Sequence, residues 1–282
     1  MIFHSRKKNK MNIYRLIKLE IMKYKDNTLV KVLLAFFVFL MPTSIFVMKN
    51  WKNIPFLPGK DSIFTFPHIW EYQAYAGSWL AFLFLGFLGT YLITSEIQFK
   101  TMRQNIIAGM TRKEFFTAKM LVALLISILA TLVFFISTAA IGLYHQETFD
   151  LGAVFKGQQY VVLRFFLLTF AYIISGMMVG FLIRRSGLAI FTYYSYVLFI
   201  EPLTRYWIHI KIFGISNAIK YYPMNAIEDL APLPFYKYVE NFKPIKELPD
   251  ILLSYKDATI VSLITVSVFI LVSYLSFTRR DL

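Results

Sequence analysis

The chain contains no cysteine, which excludes disulfide bonds and metal sites built on thiolates. Its four histidines are scattered along the sequence without ligand spacing, so we expect no metal site. No Ser/His/Asp arrangement or nucleophile elbow is present, and no two carboxylates lie inside the long apolar runs, so we predict no catalytic residues. Residues 152–158, GAVFKGQ, lack the Lys-Ser/Thr pair that a phosphate loop requires, and no other nucleotide-binding motif is present. We therefore expect no cofactor in this chain, and any energy that it uses must come from another one.

Apolar side chains, in contrast, make up 57% of the sequence and include 29 Phe and 18 Tyr, more than a soluble domain normally carries. They occur in blocks, and about 20 apolar residues are enough to cross the hydrocarbon layer of a membrane. The blocks predict six spans, at residues 29–48, 75–95, 117–144, 161–183, 187–208 and 258–278. The fifth is irregular, because Glu201 and Pro202 interrupt it. We predict an all-α membrane protein with one transmembrane domain over residues 1–282.

The formal net charge is +14, but its distribution indicates a membrane rather than a nucleic acid as partner. If both termini lie on one side, that side receives residues 1–31, 96–119, 184–187 and 278–282. These segments hold 18 of the 30 Lys and Arg residues and only 5 of the 16 Asp and Glu residues. Basic loops stay in the cytoplasm, so this pattern predicts a multi-pass protein with both termini cytoplasmic.

Two segments outside the spans have patterns of their own. In residues 11–26, apolar positions such as Leu16 and Ile21 share one helical face and lysines lie largely elsewhere, which predicts an interfacial amphipathic helix. The alternative is a helix that packs against a soluble partner. The outer segment, residues 210–257, begins with a stretch too apolar for a free loop and predicts re-entrant short helices before the last span.

Two pairs of residues within the spans predict contacts. Arg164 and Glu201 lie at matching depths near the outer boundary and form a candidate outer ion pair; the alternative is that both reach the headgroups. Gly176 and Gly180 form a small-xxx-small motif that permits close helix packing, either within one chain or between two copies.

The stretch Ser95–Lys119, between the second and third spans, has unusually clear helix start and stop signals. Thr101 with Gln104, and Thr111 with Glu114, each have the spacing of a capping box. Gly109 stands where a short helix would need a left-handed stop. The pattern predicts a helix of about two turns, Met102–Ala108, followed by a helix that starts at Arg112. An ordinary cytosolic loop is the alternative.

These features together resemble the permease subunits of type-two (type V) ABC exporters. The resemblance rests on the interfacial helix, the six spans, Ser95–Glu96 at the end of span two, Thr101 with Arg103, and the run from Gly109 to Glu114 that leads to Lys119. It also includes Tyr221–Pro223 before the last span and Arg279–Leu282 at the end. The chain lacks the fused ATPase of full-length members, so the resemblance implies a stand-alone permease of a bacterial inner (cytoplasmic) membrane.

The resemblance implies that Met102–Ala108 is a coupling helix that docks on a separate ATPase, while spans one, two and five line an export path. Glu96 would form a hinge, with Arg103 or Arg112 as its salt-bridge partner. The implied ATPase-coupling residues are Glu96, Thr101, Met102, Arg103, Gln104, Asn105, Ile106, Ile107, Ala108, Gly109, Thr111, Arg112 and Glu114. The implied partners are an ABC ATPase dimer, which would bind ATP and Mg, and a second permease, identical or related; the membrane lipid surrounds them.

Three other functions are compatible with the same sequence. The chain could belong to an ABC-type sensing or mechanical complex that transports nothing. An ion-coupled carrier would need intramembrane acids or an inverted repeat, and the two halves of the chain show no repeat. A membrane enzyme would need converging polar groups, which are also missing.

Overall fold

The computed structural model describes residues 12–49, 62–146, 151–155, 159–214, 216–234 and 252–279, and every element in these ranges is helical. Residues 280–282, and residues 215 and 235–251 of the predicted outer segment, lie outside the described residues. The long helices, labelled in chain order, are α2 (Thr28–Lys49), α3 (His68–Gln98), α5 (Arg112–Tyr144), α7 (Gln159–Ile183) and α10 (Tyr255–Arg279). The shorter ones are α1 (Ile13–Lys25), α4 (Thr101–Ile107), α6 (Leu151–Phe155) and α9 (Pro223–Glu228), and residues 186–213 form a broken helix, α8.

Five of these helices, α2, α3, α5, α7 and α10, are long and apolar enough to cross a membrane. They match five of the six predicted spans in order, and their ends differ from the predicted ones. α3 begins at His68 rather than near residue 75, because its first turns carry Trp70 and Tyr72, which are buried in the bundle. α5 begins at Arg112 rather than 117, because the capping box of Thr111 and Glu114 starts it there.

The fifth predicted span corresponds to α8, which is helical throughout but irregular. Two π-helical turns, Tyr196–Ile200 and Thr204–His209, interrupt its α-helical geometry. Its second half carries Glu201, Arg205 and His209, all of which are buried. Charged groups within a membrane span require partners from the protein, because lipid tails offer none. These three residues make α8 more polar than the five long helices.

α7 lies at the centre of the bundle, with α3, α5, α8 and α10 around it. Glycines let it approach α3 closely: a Cβ added to Gly176 would collide with the backbone carbonyl of Gly86 and lie 2.9 Å from the amide nitrogen of Thr90. A Cβ at Gly180 would lie 3.0 Å from the carbonyl oxygen of Thr90. Both glycines of the predicted motif therefore lie against α3 of the same chain.

α3 also contains a π-helical turn, Ala81–Leu85, and it faces α8 at that point. The hydroxyl of Tyr193 donates to the carbonyl oxygen of Phe82 over 3.2 Å, and that of Tyr194 donates to Leu83 over 2.6 Å. A π turn disturbs the regular pairing of backbone carbonyls, and here two phenol hydroxyls from the neighbouring helix bind two of them. The contact fixes α3 and α8 at their irregular segments.

Candidate functional site

α4 is a seven-residue helix that crosses from the end of α3 to the start of α5. Lys100 precedes it with φ of 58° and Gly109 follows it with φ of 105°, so the chain turns sharply on both sides. The predicted left-handed position of Gly109 is confirmed. The predicted capping box of Thr101 and Gln104 is wrong: the residue before the helix is Lys100, and the Thr101 hydroxyl donates to the Glu96 carbonyl over 3.3 Å.

The two faces of α4 differ. Met102 is buried and Ile106 packs against the hydrophobic core, so this face holds the helix on the bundle. Arg103 and Gln104 are exposed, and Ile107 is 76% exposed. The exposed face of α4 therefore combines an aliphatic side chain with an arginine, a residue type that is enriched at protein interfaces.

The predicted capping box of Thr111 and Glu114 is present and complete. The Thr111 amide donates to Glu114 Oε2 over 2.8 Å, and the Glu114 amide donates to Thr111 Oγ1 over 3.2 Å. Two of the free amides at the start of α5 are thereby satisfied. Only four residues separate the end of α4 at Ile107 from the start of α5 at Arg112, so the two helices meet at a fixed corner.

Behind α4 lies a cluster of four charged side chains, Glu20, Lys23, Glu96 and Lys119, which we call the four-charge cluster. Lys119 Nζ donates to Glu20 Oε2 over 2.6 Å and also to Glu96. Lys23 Nζ donates to Glu20 Oε1 over 2.8 Å and to Glu96 Oε1 over 3.1 Å. Each ammonium therefore contacts both carboxylates, and the cluster joins α1, α3 and α5.

The cluster is deeply buried: the side chains of Glu20 and Lys119 are fully inaccessible, and that of Glu96 is 5% exposed. Buried charges are tolerated when each has a partner of the opposite sign, as these do. The Tyr24 hydroxyl joins the cluster, since it accepts from Lys119 Nζ over 2.7 Å and donates to Glu96 Oε1 over 3.2 Å. Burial, followed by the charges of Glu96 and Glu20, raises the pKa of Tyr24 well above its usual range, so it remains a neutral donor.

The partners of Glu96 differ from the predicted ones. The resemblance implies Arg103 or Arg112, but the ion pairs of Glu96 are with Lys23 and Lys119. Arg112 instead donates to the carbonyl oxygens of Phe277 and Thr278, over 3.1 and 2.8 Å, and so ties the start of α5 to the end of α10. Arg103 lies on the exposed face of α4.

Sequence reasoning missed Glu20 and Lys119 as partners, although a signal existed. Glu20 lies four residues after Leu16 and four before Tyr24, on the apolar face of α1. Lys119 stands one residue before a long uncharged run. A carboxylate on an apolar face and a lysine at the edge of a span each require a buried counter-charge.

A second set of polar contacts lies at the opposite end of the bundle, around α9. Glu201 Oε1 accepts from the amides of Met224 and Asn225, over 2.8 and 2.9 Å. Arg164 donates to the carbonyl oxygen of Leu230 over 3.0 Å, and its guanidinium lies 3.5 Å from the ring centre of Tyr255. The predicted ion pair of Arg164 and Glu201 is therefore wrong, because each side chain binds a different part of the segment that follows α8.

A cavity of about 350 Å³ opens beside α9, between α3 and α8. Aromatic side chains form much of its wall, including those of Tyr75, Trp79, Phe82, Tyr172 and Tyr206. Arg205, Glu228 and Asp229 bring charge to it. Burial, with the charges of Glu201 and Asp229 next, raises the pKa of Glu228 to about 7, and burial raises that of Asp229 to about 6. The cavity is thus amphipathic, with an aromatic wall and a charged end that holds Arg205, Glu228 and Asp229.

One comparison identifies a relationship to known proteins. The sequence model of a family described as "ABC-2 family transporter protein" matches residues 16–199, which is more than half of the chain. The match begins within α1 and runs into α8, so it includes α4 and all four members of the four-charge cluster. No curated protein matches the sequence.

Proposed function

Because the chain belongs to the ABC-2 transporter family, a family of membrane components of transporters, we propose that it is the permease subunit of an ATP-driven exporter. It is a multi-pass membrane protein, and we place it in a bacterial inner membrane with α8 as a sixth span and both termini in the cytoplasm. The charge distribution of the sequence supports this orientation. ATP and Mg would be bound by a partner ATPase dimer, and a second permease, identical or related, would complete the transporter.

The observation that carries this proposal is the exposed face of α4. Arg103 and Ile107 lie exposed on a helix that the buried Met102 anchors to the bundle. A rigid, anchored helix can transmit a push or pull to the bundle, whereas a loose loop would absorb it. We propose that this face docks on the ATPase and that the 101–112 loop, with Glu96 before it and Glu114 after it, couples the chain to the ATPase.

The four-charge cluster supplies a route by which movement of α4 would reach the spans. α4 follows directly on α3, which contributes Glu96, and precedes α5, which contributes Lys119. Separating these charges would leave a buried ion without a partner, at a cost of about 3–5 kcal/mol. α1, α3 and α5 would therefore move as one body when the ATPase moves α4.

The cavity between α3 and α8 supports the assignment of spans two and five to an export path. Its aromatic wall and charged end suit an amphipathic cargo. ATP binding by the partner would change the populations of inward-open and outward-open states, because the ATPase binds the two states with different affinity. Export is the direction that the resemblance to type-two exporters implies.

Copurification with the ATPase tests the proposal. We expect R103E/I107E to abolish copurification while the permease stays folded in the membrane. Ile107 is preferred to Ile106, because Ile106 packs against the core and its replacement would disturb the fold. Lys18 is exposed on α1 and lies outside residues 96–114, so K18E is the matched control and should copurify normally. Undiminished copurification of R103E/I107E would refute docking through α4.

A further inference from the structure

A groove of about 340 Å³ lies on the flank of the bundle at the α4 end, between α1, the start of α2, α3 and α5. Its wall is apolar and includes Ile21, Val30, Leu34, Leu92, Val122 and Ile126. Three of these, Val30, Leu92 and Val122, are buried at the back of the groove, whereas Ile21 is 56% exposed at its edge. The groove is open on one side, so a long, flexible apolar group could lie in it.

Three charged residues line the groove: Glu20, Lys25 and Lys31. Of the charged residues that line it, Glu20 is fully buried and satisfied by Lys23 and Lys119. The other two, Lys25 and Lys31, are exposed, and neither has an ion pair in the part of the chain that the structure describes. They flank the short connection between α1 and α2. The groove therefore combines an apolar wall with two positive charges, and its carboxylate is already neutralised.

We propose that this groove binds an anionic phospholipid, with one acyl chain along the apolar wall and the phosphate between Lys25 and Lys31. Lysines at the end of a span extend toward the headgroup layer, where anionic lipid offers them a counter-charge. A zwitterionic lipid would bring its own cation beside the two ammonium groups and would bind less tightly. Charge complementarity therefore selects the headgroup, and the apolar wall holds the chain.

The bound lipid would also contact the four-charge cluster from outside. Glu20 and Tyr24 line the groove, and both belong to the contacts that hold α1 against α3 and α5. Filling the groove would bury the flank of α1 further and favour its packed position. Anionic lipid is thus expected to stabilise the chain by itself, without an ATPase, so this inference is independent of the proposed coupling.

The test uses the full-length protein in detergent, with dioleoyl phosphatidylglycerol or dioleoyl phosphatidylcholine added at equal concentration. Native mass spectrometry counts the bound lipid, and the thermal midpoint measures stabilisation. We expect the wild type to retain one phosphatidylglycerol and to gain a higher midpoint from it than from phosphatidylcholine. K25Q/K31Q should lose roughly tenfold in affinity for phosphatidylglycerol alone. L34W, which fills the groove, should lose the retained lipid of either kind.

The matched control is K18Q/K113Q, which removes two exposed lysines away from the groove. It should keep the lipid binding of the wild type. Equal affinities of K25Q/K31Q and the control for phosphatidylglycerol would overturn the headgroup assignment. Equal binding of both lipids by the wild type would overturn it as well. Unchanged lipid retention in L34W would show that the lipid binds elsewhere, and a wild type that retains no lipid would refute the site.

Discussion

Lys119 Nζ lies 2.6 Å from Glu20 Oε2, and both side chains are completely buried. The two residues are 99 positions apart in sequence, and the contact joins the amphipathic helix α1 to the start of α5. Because the same ammonium also pairs with Glu96 at the end of α3, one lysine holds two carboxylates from two helices. This buried cation therefore links α1 to both α3 and α5, beside the direct contacts of Lys23 and Tyr24 with Glu96.

The first prediction concerns that cation. K119M leaves Glu20 and Glu96 with Lys23 as their remaining positive partner, and we expect a loss of about 3–5 kcal/mol in the free energy of unfolding. Adding E20Q to K119M should recover part of this loss, since it removes the excess negative charge. Unfolding in a denaturing detergent, followed by circular dichroism, measures both changes. K113M, at an exposed position of the same helix, should change stability by less than about 0.5 kcal/mol.

The second prediction concerns the contact of the two irregular helices. A Cβ at Gly86 would collide with the phenol of Tyr193, coming within 2.7 Å of its Cε1, whereas a Cβ at Gly187 meets nothing within 4 Å. We therefore expect G86A to destabilise the protein by about 1–3 kcal/mol, as overpacking does. G187A lies in a helix and should be neutral or stabilising by up to about 1 kcal/mol. The midpoint of thermal unfolding, compared between G86A and G187A, measures the difference. Equal midpoints would contradict the close contact of Gly86 with Tyr193.

The third prediction is a pH dependence. The pKa of Glu228 is raised from 4.5 to about 7 by burial and by Glu201 and Asp229, so the folded state binds this proton more tightly than the unfolded chain does. The free energy of unfolding should therefore be higher at pH 5 and fall as the pH rises toward 7. E228Q should flatten the fall between pH 6 and 7, whereas the raised pKa of Asp229, about 6, should preserve a fall at lower pH.

The midpoint of thermal unfolding, measured from pH 4.5 to 8 in one detergent, checks this prediction. D26N removes an exposed carboxylate at the α4 end and serves as the control, which should reproduce the wild-type slope. A wild-type midpoint that rises with pH over this range would contradict the raised pKa of Glu228.

Much of the architecture follows from local sequence signals. Apolar length located the five long helices, and the spacing of Thr111 and Glu114 located the start of α5. Gly109 was predictable because few other residues adopt a positive φ at low cost. The capping role of Thr101 was predicted wrongly. Lys100, in the left-handed conformation, is the residue before the helix, and the Thr101 hydroxyl donates to the Glu96 carbonyl instead.

The contacts between helices could not be predicted in the same way. The partners of Glu96 lie 73 and 23 positions away, and no local pattern says which lysine reaches it. Arg164 and Glu201 have matching depth, but depth leaves the rotation of each helix about its axis undetermined. The amides of α9 satisfy Glu201, and a partner on the backbone leaves no trace in the sequence. Polar contacts between residues far apart in sequence could therefore be identified only from the folded structure.

The π turns of α3 and α8 have a mechanical consequence. A π turn holds one more residue than the α-helical turn it replaces, so its conversion to an α turn would rotate the helix beyond it by about 100° and change its length by about 1.5 Å. Tyr193 and Tyr194 lie just before the π turn Tyr196–Ile200 of α8, and their phenols bind carbonyl oxygens of the π turn Ala81–Leu85 of α3. A change in either π turn would therefore act directly on the contact between the two helices. Rotation of α3 or α8 would turn the aromatic side chains that line the cavity. The permease could then expose a different surface without a large sliding movement of its spans.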